Sequence, residues 1–416
     1  MRCFMIILVM MLLGGCRTFE IGFVQTPMPT LSVVAKSSTA TSTLVASPNL
    51  TPTMQPTSMA TIAPIATKAW PQGITDVLPA PLYFLSDRSG SQQIWRVETD
   101  EVRLTQTTSS LHPVEAFDIS RVTGKIAYVS GNALIIGDEL GNTIQVIDTK
   151  SVSYRDNLSE AVASLAWSPD GTRLAFAGRN GLWLYNVTGA ELVHLVTNPD
   201  RVSGMWLDAP HAWSPDGSAL LLRMMYSNSD TGDVIYVPIN DAALHVTRLS
   251  VCYNLRWSLD GRAVYASLGM STVLCPQPGL ARWSLDSDTV TEVISSEPMN
   301  QSLLAHFVAG AEEGHDGFLY YFYGNAEVPA DELRYGTLKM FRSTPDNVAR
   351  RVALRDDGYG AVFEVLWTDD MSAAIIVDGS ASNSTRMGAI ILLTSDNKPS
   401  FLLAERGFSV RWGKSR

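Results

Sequence analysis

The sequence predicts an all-β fold, a seven-bladed β-propeller with four-stranded antiparallel blades, from three observations. First, a Trp-Ser-Pro-Asp-Gly segment at 167–171 recurs at 213–217 and, with Leu in place of Pro, at 257–261. Second, the tryptophans of this series, continued by Trp367 and Trp412, are 46, 44, 110 and 45 residues apart. Third, short alternating apolar runs follow the copies. A repeat of about 45 residues that holds four short strands is typical of one propeller blade.

The repeated segment has the chemistry of a tight turn between two antiparallel strands. Pro presets φ, Asp binds the backbone that follows it, and Gly takes the position with φ above zero. We therefore interpret Asp170, Asp216 and Asp260 as turn-forming residues. A calcium site is not indicated, because no Asp-x-Asp-x-Asp-Gly loop occurs. The repeated tryptophans are expected to wedge between neighbouring blades rather than to form a ladder for sugar stacking.

The blade count comes from seven apolar runs that we interpret as the second strand of each blade. They are Leu82–Leu85, Lys125–Val129, Arg173–Ala177, Ala219–Arg223, Ala263–Ser267, Phe318–Phe322 and Ala373–Val377. The interval of 110 residues holds two repeats, and we expect the missing tryptophan to be replaced near His306-Phe307. Phe117 is expected to fill the same position in an earlier copy. The first blade has no innermost strand of its own, so the C-terminal run Phe408–Trp412 is expected to complete it and remove a free sheet edge.

Residues 1–15 have the pattern of an export signal. Arg2 is followed by an apolar run, Phe4–Leu13, which is too short to cross a bilayer as a helix. The segment Leu13-Gly14-Gly15-Cys16 then resembles the bacterial lipobox. This resemblance implies cleavage before Cys16, a diacylglyceryl group and palmitate at the new N-terminus, and an extracytoplasmic position at the bacterial cell envelope. The alternative is an ordinary signal with an incidental cysteine.

Residues 16–72 are predicted to form a lipidated N-terminus and a disordered stalk rich in Thr, Ser and Pro. Between residues 26 and 69 the only charges are Lys36 and Lys68, and no apolar periodicity is present. Such a segment cannot bury enough surface to offset its chain entropy. The propeller is therefore assigned to residues 80–413.

The repeats resemble those of the TolB-type, WD-repeat-like propellers. That motif combines the Trp-Ser-Pro-Asp-Gly turn with a Ser-Asp-Arg-x-Gly-x-x-x-Ile-Trp hairpin, present here as Ser86–Trp95. The resemblance spans residues 80–413 and implies a propeller that presents a binding surface for proteins or peptides. The amino-terminal domain of TolB has no counterpart, and a stalk stands in its place. The role of TolB in envelope integrity is therefore not carried over.

Composition and motifs argue against several classes of function. The chain of 416 residues has a net charge of -10 and no cluster of Lys and Arg, so nucleic acid is not an expected partner. There is no Gly-x-Ser-x-Gly elbow, no His-Glu-x-x-His, no Cys-x-x-Cys and no glycine-rich phosphate loop. We expect no metal, no cofactor and no catalytic residues, and a monomeric body.

Cys252 and Cys275 are the two cysteines of the body. Cys252 opens the inner strand of the fifth blade, and Cys275 lies in the loop between its second and third strands. An up-and-down order of strands places these two points on the same face. In an exported protein a disulfide is then the expected outcome, closing a loop at a stabilisation of about 3 kcal/mol. Two separate buried thiols are the alternative.

The same face carries the candidate binding residues. Loops that enter the inner strands and loops between second and third strands meet there, and exposed aromatic and Arg side chains are frequent interface anchors. The candidates are Trp206, Asp208, His211, Tyr226, His306, Tyr323, Arg334, Tyr335, Asp357 and Tyr359. The alternative for each is that it packs only against its own blade.

The sequence therefore favours a non-enzymatic envelope lipoprotein whose loop face binds a protein or peptide. One alternative is a hydrolase or lyase with a site at the propeller channel that acts on envelope glycans or peptides. His211, His306, Glu115, Asp118 and Glu364 are the titratable residues expected near that channel. A sensor domain that works through a separate membrane partner is a third hypothesis.

Overall fold

The computed structural model describes residues 78–99, 103–131, 133–147, 165–178, 181–197, 205–226, 232–241, 243–251, 255–267, 279–295, 297–298, 302–329, 337–380 and 387–415. All of them belong to one of the two units into which the chain divides, Ile62–Arg416. The predicted signal and stalk, together with Cys16, Cys252 and Cys275, lie outside the described residues.

Every regular element in these ranges is a short β-strand. In chain order the strands are β1 (Leu82–Ser86), β2 (Gln93–Val97), β3 (Leu104–Gln106), β4 (Val114–Ile119), β5 (Ile126–Ser130), β6 (Ala133–Gly137), β7 (Thr143–Ile147), β8 (Leu165–Trp167), β9 (Arg173–Gly178), β10 (Gly181–Asn186), β11 (Glu191–Thr197), β12 (Met205–Trp213), β13 (Ala219–Tyr226), β14 (Gly232–Pro238), β15 (His245–Val251), β16 (Leu255–Trp257), β17 (Ala263–Ser267), β18 (Gly279–Ser284), β19 (Thr289–Ser295), β20 (Glu297–Pro298), β21 (Ser302–Glu313), β22 (Leu319–Pro329), β23 (Lys339–Thr344), β24 (Asn347–Ala353), β25 (Val362–Trp367), β26 (Ala373–Asp378), β27 (Gly388–Thr394) and β28 (Phe401–Trp412).

Strands that are neighbours in sequence are also neighbours in space. Four consecutive strands form each of the sheets β4–β7, β8–β11, β12–β15 and β16–β19, and β20–β24 form another. A seven-stranded sheet has the order β25-β26-β27-β28-β1-β2-β3. All pairings within these sheets are antiparallel, as for β8 with β9 and β9 with β10. The predicted all-β architecture of antiparallel four-stranded units is therefore confirmed at this level.

The seven-stranded sheet exists because β28 belongs to two strand pairs. Its first part, from Phe401 to Gly407, pairs with β27. Its last part, from Phe408 to Trp412, pairs with β1. The expected pairing of the C-terminal run with the first hairpin is confirmed, and the same strand also forms the outer strand of the preceding unit.

One strand from each unit contacts its counterpart in the next, and these inner strands form a closed cycle. β4 contacts β8, β8 contacts β12, β12 contacts β16, β16 contacts β21, β21 contacts β25, β25 contacts β28, and β28 contacts β4. A cluster of buried apolar side chains lies at each junction between neighbouring sheets, and one lies between the two halves of the seven-stranded sheet. Sheets that pack face to face around a cycle of inner strands have the arrangement of a β-propeller.

The turns between first and second strands confirm the interpretation of the repeated aspartates. In one turn Oδ1 of Asp216 accepts hydrogen bonds from the Ser214 hydroxyl and from the amide and hydroxyl of Ser218, at 2.6, 3.0 and 2.8 Å. The Ser214 hydroxyl oxygen in turn accepts the amide of Ala219. Gly217 takes φ of +69°. Asp170, Asp260 and Asp370 make the corresponding bonds in their own turns.

The repeated tryptophans lie between neighbouring sheets, as predicted. The indole Nε1 of Trp213 donates a hydrogen bond of 2.9 Å to the carbonyl of Ala166 in the preceding inner strand. Trp367 donates likewise to Gly310, at 2.7 Å, and Trp412 donates to the carbonyl of Trp367, at 2.8 Å. These three indoles thus fill junctions and also donate to a carbonyl of the strand before them, whereas the buried Nε1 of Trp167 has no partner among the described residues.

The two residues expected to replace tryptophan, near His306-Phe307 and at Phe117, do not lie at the tryptophan position of their strand pairs. In the repeat, Trp167 pairs with Leu174 immediately before the turn. In β21 the residue at this position is Glu313, which pairs with Leu319, whereas His306 lies seven residues earlier in the same strand. In β4 it is Ile119, which pairs with Ile126, rather than Phe117. Both errors arise because strand pairing, and not the distance along the chain, defines the equivalent position.

Candidate functional site

Among the described residues, two inner strand pairs are longer than the others. β12 and β13 pair from Trp213 beside their turn out to Met205, and β21 and β22 pair from Glu313 out to Ser302. By contrast, β4 pairs with β5 only over Val114–Ile119. Both extensions lie at the end of the sheet away from the turn. We call them the long strand pairs, and we call this end of the sheets, where second strands connect to third strands, the loop face.

Four predicted binding residues lie on the first long strand pair. Trp206 pairs with Met225, and Asp208 pairs with Arg223. Tyr226 ends β13, and His211 falls in the irregular stretch between Asp208 and Ala212. The sequence pattern predicts loops at these four positions. The structure places their backbones in paired strands, because the strand pair continues past the length of the ordinary repeat.

His306 and Tyr323 lie on the second long strand pair and contact each other. They were expected in loops, but both are in paired strands and are only 8% and 5% exposed. The His306 Nδ1 and Tyr323 Oη atoms are 2.6 Å apart, and the two rings stack with centroids 5.8 Å apart. The structure therefore brings together two residues that the sequence analysis had named separately.

Arg351 completes this cluster and was not found from the sequence. Its guanidinium carbon lies 3.9 Å from the centroid of the Tyr323 ring, and its Nη2 donates a hydrogen bond of 2.9 Å to Tyr323 Oη. Arg351 comes from β24, the outer strand of the same sheet. We call His306, Tyr323 and Arg351 the His-Tyr-Arg cluster.

The electrostatics of the cluster favour neutral aromatic rings. Burial lowers the pKa of His306, the positive charge of Arg351 lowers it further, and Glu297 opposes the shift. Burial raises the pKa of Tyr323, against the effect of Arg351. At neutral pH the phenol therefore accepts from Arg351 while it remains protonated and able to donate to His306. The cluster is therefore a largely buried aromatic and cationic group beneath the loop face.

Asp357 and Tyr359 lie in a different network. Arg355, which is 3% exposed, donates to both carboxylate oxygens of Asp357 at 2.7 and 2.8 Å. Tyr359 donates to the same carboxylate at 2.6 Å, and Arg355 also reaches the carbonyl of Thr394 at 2.8 Å. Burial alone raises the pKa of Asp357, but the bonds from Arg355 and Tyr359 outweigh it, and the pKa stays below its ordinary value. This network ties the segment before β25 to the neighbouring sheet.

Carboxylates on the inner strands are also bonded. Asp118 contacts Arg411 across the junction of β4 and β28, with the Nε and Oδ1 atoms 3.3 Å apart, and accepts the amide of Trp167 at 2.7 Å. Burial raises the pKa of Asp118, and both of these partners oppose that shift. The side chain of Glu115 is exposed, although partial burial raises its pKa.

Glu364 and Glu312 make comparable contacts around the inner strands. Glu364 accepts the amides of Ser409 at 2.7 Å and Val410 at 3.1 Å, and so joins β25 to β28. Arg256 in β16 donates to Glu312 in β21 at 3.2 Å. These charges join neighbouring sheets.

No grouping of three or more His, Cys, Asp or Glu side chains that could hold a metal ion occurs among the described residues. Within the same ranges, none of the elements is a helix long and apolar enough to span a membrane. Arg334 and Tyr335, like the three cysteines named above, lie outside the part of the chain that the structure describes.

No family model matches the sequence. No curated protein matches it either. Solved structures with a similar course of the chain include TolB from Acinetobacter baumannii, at 11% identity and a TM-score of 0.41, which covers 80% of this chain and 65% of that one. An oligogalacturonate lyase from Vibrio parahaemolyticus has 13% identity and a TM-score of 0.48, with 72% and 83% covered. Hydrazine synthase from Kuenenia stuttgartiensis has 13% identity and a TM-score of 0.45, with 70% and 79% covered. Similarities this low assign neither a family nor an activity.

Proposed function

We propose that this chain is a non-enzymatic lipoprotein of the bacterial envelope whose loop face binds a protein or peptide partner. The observation that carries the proposal is the extension of both long strand pairs at the loop face. Six of the ten candidate binding residues lie on them, and the His-Tyr-Arg cluster supplies a buried aromatic and cationic support. Aromatic and Arg side chains on a rigid backbone are favourable anchors because little conformational entropy is lost on binding.

We further propose that the body is a seven-bladed propeller in which β28 is shared between two blades. The cycle of inner strand contacts supports this count, because the seven-stranded sheet then supplies two units. The clusters of buried side chains at the junctions support it as well. In this arrangement the N-terminal and C-terminal ends of the body meet in one blade.

The experiment uses a photoreactive benzoylphenylalanine placed at single positions of the full chain in native envelopes. Asn325 is exposed on β22, where it pairs with His306 at the loop face. Leu140 is 63% exposed in the turn between β6 and β7, at the other end of its sheet, and is the matched control. We expect a defined protein adduct, identified by mass spectrometry, from position 325 but not from position 140.

Equal adducts from both positions, or none from position 325 in a folded chain, would contradict the proposal. Turnover of an envelope glycan or peptide by the purified chain would instead support the hydrolase or lyase alternative.

Lipid anchoring through Cys16 gives a separate prediction. A Cys16→Ser chain cannot carry a thioether-linked diacylglyceryl group, so it should leave the membrane fraction and appear in the soluble fraction. The measurement is fractionation followed by immunoblotting, with Cys252→Ser as the control for loss of a cysteine. Unchanged membrane partition of the Cys16 variant would exclude the anchor.

A further inference from the structure

The repeat offers an internal comparison between two neighbouring junctions. The residue that follows the turn is Arg173 in the β8–β11 sheet and Ala219 in the β12–β15 sheet. The two residues are equivalent because each accepts the corresponding backbone hydrogen bond of its turn: Ser168 N donates to Arg173 O, and Ser214 N donates to Ala219 O. One junction therefore has a long cationic side chain where the next has a methyl group.

Arg173 fills the junction in front of it. Its guanidinium carbon lies 4.7 Å from the centroid of the Trp213 ring, and its Nη2 donates a hydrogen bond of 2.8 Å to the carbonyl of Gly217. The guanidinium is thus held by an aromatic face and by a turn carbonyl of the next sheet. A cation over an indole ring is a favourable electrostatic contact.

At the following junction the corresponding space is a cleft of about 360 Å³. It is lined by Ala219, by Trp257 in place of Trp213, and by Gly261 in place of Gly217. The turns at the two junctions have nearly the same backbone, since φ of Gly217 is +69° and φ of Gly261 is +70°.

The proline of the preceding turn lies at the same distance from the turn glycine at both junctions. A Cβ built on Gly217 would lie 3.5 Å from Pro169 of the preceding turn, and one on Gly261 would lie 3.5 Å from Pro215. Near Gly217 the Arg173 guanidinium is an additional neighbour, and near Gly261 no described residue replaces it. The second junction therefore lacks this cation, and it has Tyr236 at the position that Leu184 holds in the first.

The chemistry of the cleft suits a cation. Tyr236 packs edge-on against Trp257, with centroids 6.0 Å apart, and Asp216 and Asp260 stand at the rim. The hydrogen bonds of the Asp216 turn go to Oδ1, so Oδ2 accepts none within the described residues.

The charges around the cleft are not all negative. The negative charge of Asp241, like that of Asp216, raises the pKa of Tyr236. The positive charges of Arg262 and Arg282 lie close enough to Asp260 to lower its pKa, and they partly offset its negative charge. Asp216 is therefore the carboxylate best placed to attract a second cation.

We propose that this cleft binds the guanidinium group of an arginine side chain from a partner protein, in the geometry that Arg173 adopts at the preceding junction. The guanidinium stacks on Trp257, donates to the carbonyl of Gly261 and faces the carboxylate of Asp216. The cleft lies at the turn end of the sheets, away from the loop face. This site is therefore independent of the loop-face proposal above.

The test measures binding of acetyl-Gly-Gly-Arg-Gly-Gly-amide to the full chain by isothermal titration calorimetry or saturation-transfer NMR. Citrulline in place of arginine keeps the shape but removes the charge, and we expect it to bind about fivefold more weakly or worse. Lysine in place of arginine distinguishes the planar guanidinium from an ammonium group, and arginine should bind more tightly.

Two variants use the repeat itself. Ala219→Arg should fill the cleft from within, as Arg173 does one junction earlier, and abolish peptide binding. Thr143→Arg adds the same charge at an exposed position of another sheet and is the control. Arg173→Ala should open a second cleft over Trp213 and raise the stoichiometry from one peptide to two.

Unaltered binding by a folded Ala219→Arg chain would overturn the proposal, as would equal affinity for the arginine and citrulline peptides. Binding by the Thr143→Arg control with loss in Ala219→Arg would support it. Because both clefts differ from the loop face, loss of the loop-face partner and loss of the peptide can be scored separately.

Discussion

Met371 occupies the turn position that glycine holds in three other copies of the repeat. Its φ is +56°, whereas the glycines at 171, 217 and 261 have φ between +69° and +70°. A left-handed conformation is unfavourable by about 1–2 kcal/mol for a residue with a side chain. Met371 is nevertheless only 6% exposed and packs in the same cluster as Tyr320 and Trp367. Burial of its side chain therefore outweighs the backbone strain.

This balance predicts the sign of a substitution. Met371→Gly relieves the strain but removes a buried side chain that stabilises by about 2–5 kcal/mol, so the free energy of unfolding should fall by about 2 kcal/mol. Gly217→Ala is the matched control, because it adds only the backbone strain and should lower stability by about 1 kcal/mol. Urea unfolding measures both. A stabilised Met371→Gly chain would show that strain, and not packing, dominates this turn.

Asp216 gives a prediction about acid stability. Hydrogen bonds from Ser214 and Ser218 lower the pKa of its carboxyl below the ordinary value of 3.8. A group with a lowered pKa in the folded state contributes stability that is present above the unfolded-state pKa and is lost as the pH falls through the folded-state pKa. Asp216→Asn keeps an acceptor at Oδ1 but cannot titrate.

The Asp216→Asn chain should therefore lose less stability than the parent between about pH 5 and about pH 3. Urea midpoints across this range provide the measurement, and Asp286→Asn controls for removal of an exposed charge. Identical pH profiles for the parent and the Asp216 variant would contradict this linkage.

At the residue scale, the residues that form the turns were predictable from the sequence, whereas the residues that face each other across a strand pair were not. The aspartates and glycines of the turns were found because a turn of five residues defines its own bonds. Glu313 and Ile119 were missed because their equivalence to tryptophan depends on which residue they face across the strand pair. Arg351 was missed because it reaches Tyr323 from the far side of the sheet, and no spacing in the sequence connects them.

At the scale of elements, β28 depends on a bulge that a side chain of another strand stabilises. The register changes between the pairing with β27 and the pairing with β1, and Ser409 in this stretch has φ of +54°. Glu364 accepts the amides of Ser409 and Val410 there. A buried amide without an acceptor is unfavourable, so this carboxylate supports the change of register.

Glu364→Gln should lower the free energy of unfolding by about 2 kcal/mol, because an amide side chain keeps one acceptor oxygen and turns a donor toward the other backbone amide. Glu115→Gln is the matched control, since Glu115 is exposed on the equivalent strand β4. We expect it to change stability by less than about 0.5 kcal/mol. Similar losses for both variants in thermal or urea unfolding would indicate a general charge effect instead.

The elements that the sequence analysis predicted best are the second strands, which follow a turn motif directly. The seven predicted runs begin within one residue of the starts of β1, β5, β9, β13, β17, β22 and β26. The extension of β21 and β22 was not predicted. The stretch that follows Tyr323 has no alternation strong enough to distinguish a strand from a loop, and pairing with β21 decides its conformation.

At the scale of the whole molecule, the two ends of the body are joined through one strand. Removal of 408–416 would leave β1 paired only with β2 and would also remove Trp412, whose indole donates a hydrogen bond to the carbonyl of Trp367. We expect such a truncated chain to show no cooperative unfolding transition by circular dichroism. Removal of 414–416, which lie beyond β28, is the control and should leave the transition in place. A soluble and cooperative 408–416 deletion would contradict closure through the C-terminus.

The shared strand also sets the order of events during synthesis. The ribosome makes Phe401–Trp412 after all the other described strands, so both units that use β28 stay incomplete until this segment has been synthesised. A nascent chain can form the middle sheets early, but its first hairpin must wait more than three hundred residues for its missing neighbour. Products that stop before Phe401 would leave one edge of β1 unpaired, and an unpaired edge is a template for pairing with other chains.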